Sequence, residues 1–220
     1  MKENPKNSLL NVKHSLTFNI MSYYGTSLGM GLAGERTVRT LLEELGIHTE
    51  DSSKYENIMQ DIDCWITVGN QFEEIGVTPG IYPLSIKRQE SGCKYKNIGF
   101  ELYQQENPTG VNDLRTDDER WLPVGWFNTG VCPIYAILQG TKVRVMTKVA
   151  VLHSIKTFGW LRKRPLTAAI RNAISKSARY SDAICGYLNT TDVHQVEYNH
   201  YDQSKVIIRP TAPSSPRTCS

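Results

Sequence analysis

No C-x-x-C pair joins the five cysteines Cys64, Cys93, Cys132, Cys185 and Cys219, and their number is odd. A zinc knuckle and a disulfide framework are both excluded on that ground, and a reducing compartment is expected. An apolar core of signal-peptide type is missing from the first residues, and Lys2 excludes N-myristoylation. The one long charge-free run, Trp121 to Thr141, is interrupted by Pro123, Gly125, Asn128, Gly130, Pro133 and Gln139, which rules out a membrane-spanning helix. Also missing are G-x-S-x-G, H-E-x-x-H and any Cys/His signature. The expectation is a soluble cytosolic protein that is not an enzyme and takes no cofactor and no metal.

Charge is present but unevenly placed. The chain of 220 residues is 40% hydrophobic and 21% charged, with a net charge of +3, which suits one folded domain. Between Thr141 and Leu188 stand ten Lys/Arg and one acid, Asp182, a balance of +9, so the remainder carries −6. A basic module on an acidic body implies an anionic partner.

Apolar periodicity predicts the elements. A strand is expected at Leu16 to Met21, before a glycine-rich segment from Tyr24 to Gly34. A helix is expected from Glu35 to Leu45, with Val38, Leu41, Leu42 and Leu45 on one side and Gly46 as its stop. Residues 47–62 read as loop or a short helix. Strands follow at 64–68, 81–86 and 98–102, the last ended by Asn107-Pro-Thr-Gly110. Val131 to Leu138 and Lys142 to Leu152 read as a hairpin around Gln139-Gly140. Pro165 and Gly186 bracket a predicted basic helix over 165–185, where Leu166, Ala169, Ile170, Ala173, Ile174, Ser177 and Ile184 share a face. Val193 to Tyr198 and Lys205 to Ile208 form a last hairpin. The predicted class is α+β: a mostly antiparallel sheet with two main helices in a single domain over 1–208, and a flexible tail over 209–220.

Two constellations invite chemistry and fall short of it. Gly29-Met-Gly31-Leu-Ala-Gly34 is a literal G-x-G-x-x-G, with Glu50 and Asp51 near the ribose-binding offset. A dinucleotide fold needs a strand delivering the first glycine and another after the helix, but seven residues separate Met21 from Gly29, and Gly46-Ile-His-Thr-Glu50 has a single apolar residue. A packed loop-helix joint is the preferred reading. Asp192, His194, His200 and Asp202 cluster in the row, but a strand between the histidines separates them by about 20 Å. Surface residues of a hairpin are expected there.

The basic module does suggest a surface. Lys142, Arg144 and Lys148 on a strand, Arg162, Lys163 and Arg164 at the corner, and Arg171, Lys176 and Arg179 on the helix are the candidates for an anionic membrane or nucleic-acid surface. A solvated outer face of a core helix is the bland alternative. Each basic residue near an anionic membrane contributes about 1 kcal/mol, and the same patch would bind RNA phosphates with strong salt dependence. Trp126 and Phe127 suit either an interfacial anchor or core burial.

The tail supplies a motif. Pro210-Thr211-Ala212-Pro213 is a complete P-[T/S]-A-P tetrapeptide, and a proline-fixed segment loses little entropy on docking in a groove. It resembles the late-domain motif by which enveloped viruses recruit the host sorting machinery, ESCRT. Together with the basic surface and the absence of a catalytic constellation, the chain resembles a viral matrix protein, the rhabdovirus type in particular. The segment Gly29-Met-Gly-Leu-Ala-Gly34-Glu-Arg36, running into Leu41-Leu-Glu-Glu-Leu-Gly46, is similar to the glycine-alanine-glycine-basic approach and leucine-rich helix of vesiculovirus matrix proteins. It departs from them in placing the motif C-terminally and in lacking P-P-x-Y.

The resemblance implies a virion protein found in host cytoplasm and at the inner face of the host membrane. Such a protein binds anionic membrane and nucleocapsid or RNA, self-associates, promotes budding and engages ESCRT through Pro210, Thr211, Ala212 and Pro213. The alternatives are an RNA-binding capsid, nucleocapsid or movement protein, and a nucleotide-binding enzyme using Gly29–Gly34.

Overall fold

A computed structural model describes residues 29–89, 96–104, 121–123, 133–165 and 184–211; at 58–59, 101–104, 121–123, 162–165 and 184–185 the backbone alone is described. Helix α1 covers 29–44. It is followed by β1 (His48–Asp51), α2 (Lys54–Gln60), β2 (Cys64–Val68), a 3-10 turn (Glu73–Ile75) and β3 (Gly80–Arg88). Next come β4 (Asn97–Gln104), β5 (Trp121–Pro123), β6 (Ile134–Gln139), β7 (Lys142–Thr147) and α3 (Lys148–Phe158). The chain closes with β8 (Arg162–Pro165), β9 (Ile184–Asn189), a 3-10 turn (Thr190–Asp192), β10 (Gln195–Asn199) and β11 (Lys205–Ile208).

A seven-stranded sheet has the order β1-β2-β3-β6-β7-β10-β11, and a four-stranded sheet the order β5-β4-β9-β8. Every pairing is antiparallel except β3 with β6, so the class is α+β with a mostly antiparallel sheet. Pro83 sits inside β3 without breaking it because the pairing with β6 starts only at Leu84. The connection from β3 to β6 runs through β4 and β5, which places the small sheet on one face of the large one.

Alternation along the strands makes two cores. Even positions of β2, β3 and β6 (Cys64, Ile66, Leu84, Ile86, Ile134, Ala136) join Val143, Val145, Val196 and Tyr198 beneath Val38, Leu41 and Leu42 of α1. On the other face Tyr135, Ile137 and Met146 meet Ile98, Phe100 and Leu188 of the small sheet, Val151 and Ile155 of α3, and Trp160. Phe100 and Trp160 meet edge to face at 6.0 Å. Each such aliphatic side chain stabilises the fold by about 1.5–3 kcal/mol on burial.

Two expected elements are corrected. The strand expected over 142–152 ends at Thr147, whose hydroxyl accepts the Ala150 N–H at 3.1 Å and starts α3. The run Val143, Val145, Val149, Val151 continues a period of two by coincidence. From residue 148 the buried positions are Val151, Ser154 and Ile155, at helical spacing, and the Gly159 N–H closes the helix on the Ile155 carbonyl.

The basic helix expected over 165–185 is replaced at both ends by strand. Pro165 ends β8, an edge strand where a missing N–H costs no ladder bond. Ile184 opens β9, and Gly186, expected to stop a helix, lies within that strand opposite Phe100. Gly99 likewise lies opposite Tyr187, and a Cβ on it would stand 3.1 Å from that ring. Gly99 is therefore room for a cross-strand aromatic. The strand expected at 16–21, the interior 166–183, the 124–130 aromatic loop and residues 212–220 lie outside the described residues.

Candidate anionic interface and tail motif

Strand β7 presents Lys142 and Arg144 to the face covered by the small sheet, and this decides what they can do. Arg144 is buried, its NH2 2.9 Å from Glu197 Oε2, while its NH1 donates to Gln139 Oε1. Lys142 Nζ lies 2.5 Å from the other Glu197 oxygen, with its side chain half exposed. Gln139 Nε2 in turn donates to the Asn97 carbonyl at 2.8 Å and to Gln89 Oε1 at 3.1 Å. Gln89 completes the chain by exchanging two hydrogen bonds with the Gly99 backbone. The expected solvent-facing role of Arg144 is therefore corrected: the polar parity of β7 points at a second layer of protein. A buried guanidinium is tolerated there because a carboxylate and an amide meet it.

Lys148, the first residue of α3, is half-buried. Beyond it the helix exposes Val149, His153, Lys156 and Thr157, spaced to lie on one side. Val149 is 75% exposed and Leu161, just past the helix, 41%. Lys156 belongs to this outer face and was not among the expected surface residues, because a strand reading of the preceding residues hid the helical stripe. Arg162, Lys163 and Arg164 form β8, which pairs with β9 alone among the described residues. From Lys142 to Pro165 the sequence contains no acid. Arg171, Lys176 and Arg179 lie outside the described residues.

The tail motif begins where the large sheet stops. Strand β11 ends at Ile208, Arg209 is exposed, Pro210 is half-buried and Thr211 is exposed. Ala212 and Pro213 lie outside the described residues. The first half of the motif thus leaves an edge strand with one residue between.

Other clusters are accounted for by packing. Gly29, Gly31 and Gly34 lie within α1 and not in a loop before it, and a Cβ on Gly34 would come within 2.9 Å of Arg88 Cβ. Gly34 alone of the three is a close approach of helix and strand, since a Cβ on Gly29 or Gly31 would meet nothing within 4 Å. His194 precedes β10 and His200 follows it, so the two stand at opposite ends of one strand. The Ser204 hydroxyl, and next the Ser204 N–H at 2.9 Å, hold the Asp202 carboxyl below its usual range in the turn.

Asp61 and Asp63 tether β3. Lys87 Nζ reaches Asp61 Oδ1 at 2.6 Å, and the Ile86 N–H reaches Asp63 Oδ2 at 2.5 Å. Burial pushes the Asp63 carboxyl above its ordinary range, and burial with the nearby Asp63 charge does the same to Glu35. Among the described residues no group of three His, Cys, Asp or Glu is placed to hold a metal ion, and no helix is long and apolar enough to cross a membrane. Burial pushes the Cys64 thiol up to about 12, so it is protonated and unreactive. In comparisons with family models, curated proteins and solved structures, the chain matches none.

Proposed function

We propose that this chain is a structural assembly protein of the viral-matrix kind, which docks on an anionic membrane, self-associates and recruits a host sorting complex through Pro210, Thr211, Ala212 and Pro213. The observation that carries the reading is the departure of Pro210-Thr211 from the edge of the folded body, with Thr211 exposed. An extended, proline-containing segment in that position docks in a partner's groove without unfolding anything.

The acid-free run from Lys142 to Pro165 supports the anionic surface. Cations alone fit RNA and lipid equally; the exposed Val149 and Leu161 beside Lys156 favour lipid, since an aliphatic group gains by entering the interface and gains little on a phosphate backbone. Arg162, Lys163 and Arg164 contribute through attraction that falls off within a Debye length.

Replacing Pro210 and Pro213 with Ala is expected to reduce release of virus-like particles and binding to the sorting complex, with an unchanged melting curve. Unchanged release together with unchanged binding would sink the late-motif reading. Co-sedimentation with phosphatidylserine vesicles is expected to fall with salt and on replacing Arg162, Lys163 and Arg164 with Ala. Binding to single-stranded RNA without binding to vesicles would favour the capsid or nucleocapsid reading.

A further inference from the structure

The two edges of the seven-stranded sheet are finished differently. At β1 the strand carries His48, Glu50 and Asp51, and the Thr49 N–H is already taken by Glu43 Oε1 of α1 at 2.7 Å. Arg39 of the same helix holds Asp51 at 2.5 Å and Thr49 Oγ1 at 3.2 Å. Charge and a helix side chain therefore close that edge to another strand. The small sheet is finished by similar means, since β8 reads Arg-Lys-Arg-Pro and β5 ends in Pro123.

Among the described residues, strand β11 carries charge only at its first position, Lys205. After Lys205, whose ammonium reaches back to Glu74 at 2.6 Å, come Val206, Ile207 and Ile208, three β-branched aliphatics in a row. Val206 is 54% exposed, and among the described residues β11 pairs with β10 alone. Ile207 lies beside Val196 of the apolar core, so the edge continues that core outward.

We infer that β11 is a self-association edge, which pairs antiparallel with β11 of a second copy to make one continuous sheet across a two-fold axis. The second copy is the favoured occupant because an antiparallel strand pair is self-complementary in hydrogen bonding, and this edge offers no charge that must be neutralised along its aliphatic run. One open edge and one closed edge per sheet stop the assembly at two copies; two open edges would give a filament. The charges also choose the register. Centring the axis on Ile207 sets Lys205 against the partner's Arg209, like charge against like. Centring it on Val206 sets Val206 against the partner's Val206 and Lys205 against the partner's Ile207. This surface would serve the self-association in the function proposed above. It rests on the sheet edges alone, so vesicle binding and particle release can fail while the dimer persists, and the reverse.

Sedimentation equilibrium of the full chain is expected to show a concentration-dependent dimer and nothing larger. Val206→Lys, at an exposed position, is expected to weaken that dimer at least tenfold with an unchanged melting curve, whereas Glu50→Lys on β1 leaves it intact. Val206→Cys is expected to give a disulfide-linked dimer on a non-reducing gel, since opposed antiparallel Cα atoms lie about 4.5–5.5 Å apart, within disulfide range. A monomer at every concentration overturns the assignment. So does a dimer that Val206→Lys leaves intact, or a polymer that Glu50→Lys disperses. Failure of Val206→Cys to cross-link a confirmed dimer overturns the register.

Discussion

On β7, Val143 and Val145 enter the apolar layer under α1, while Arg144 between them meets Glu197 and Gln139 on the opposite side. The same alternation runs through β6, where Ala136 and Leu138 join the first layer and Gln139 the polar chain of the second. One face is covered by a helix whose contacts are aliphatic. The other is covered by a second sheet and α3, with a buried ion pair and amides among the aromatics. A polar residue on the outward parity of a strand is a surface residue only when nothing is laid over it. Where another layer arrives, the polar groups must find each other, because an unpaired charge in that place costs several kcal/mol.

The largest effect is expected at Glu197. Glu197→Ala leaves Arg144 buried beside Lys142 without its carboxylate, and a loss of about 3–5 kcal/mol in chemical denaturation is expected. Replacing Arg144 with Met and Glu197 with Leu together is expected to recover most of that loss. A loss below about 1 kcal/mol for the single change would mark the pair as solvated. On the apolar face, Leu42→Ala is expected to cost about 2–5 kcal/mol from lost burial and the cavity left behind, with no change in salt dependence.

Acid at the rim of the apolar face gives a smaller and pH-dependent effect. Burial raises the folded-state pKa of Asp63 above its unfolded value, so the native chain binds that proton more tightly. Stability from this group therefore rises as pH falls through the raised pKa, levels off below the unfolded value, and is lost again as pH climbs. Asp63→Asn is expected to flatten the pH dependence of the melting temperature in that window and to shrink the contribution of Glu35, which runs in the same direction and comes from burial and, next, from the Asp63 charge. An unchanged pH profile would remove Asp63 from the account. The smallest effect is expected at Thr147→Ala, about 1 kcal/mol from the lost cap of α3, read by thermal melting.

Much of the fold was legible where local pattern and layer agree. Val38, Leu41 and Leu42 mark the inner face of α1, and Gly46 follows its last turn with φ near 75°. The β6–β7 hairpin turns at Gly140, again with positive φ, as Gln139-Gly140 predicts. A capping box at Ser53 and Glu56 starts α2 in a segment read only as loop or short helix. Elsewhere two periods competed. Val143 to Val151 satisfies a period of two, yet Thr147 caps a helix halfway through it. Pro165 and Gly186 bracket a helical pattern, yet both belong to strands of the small sheet, where an edge excuses the proline and the glycine stands opposite Phe100.

Among the candidate surface residues, sequence located the basic run and the tail motif, and could not say which cations face water. Lys142 and Arg144 stand two residues apart on the same side of β7 and share Glu197, yet one is half exposed and the other buried. By itself the sequence determined the α+β class, most strand positions, the first helix and the concentration of positive charge, since each is written in residues close along the chain. Tertiary structure alone decided the burial of Arg144 and, among the described residues, which strands stand at the sheet edges. Those depend on what lies across a layer or beside a strand, and such neighbours are separated by tens of residues in the chain.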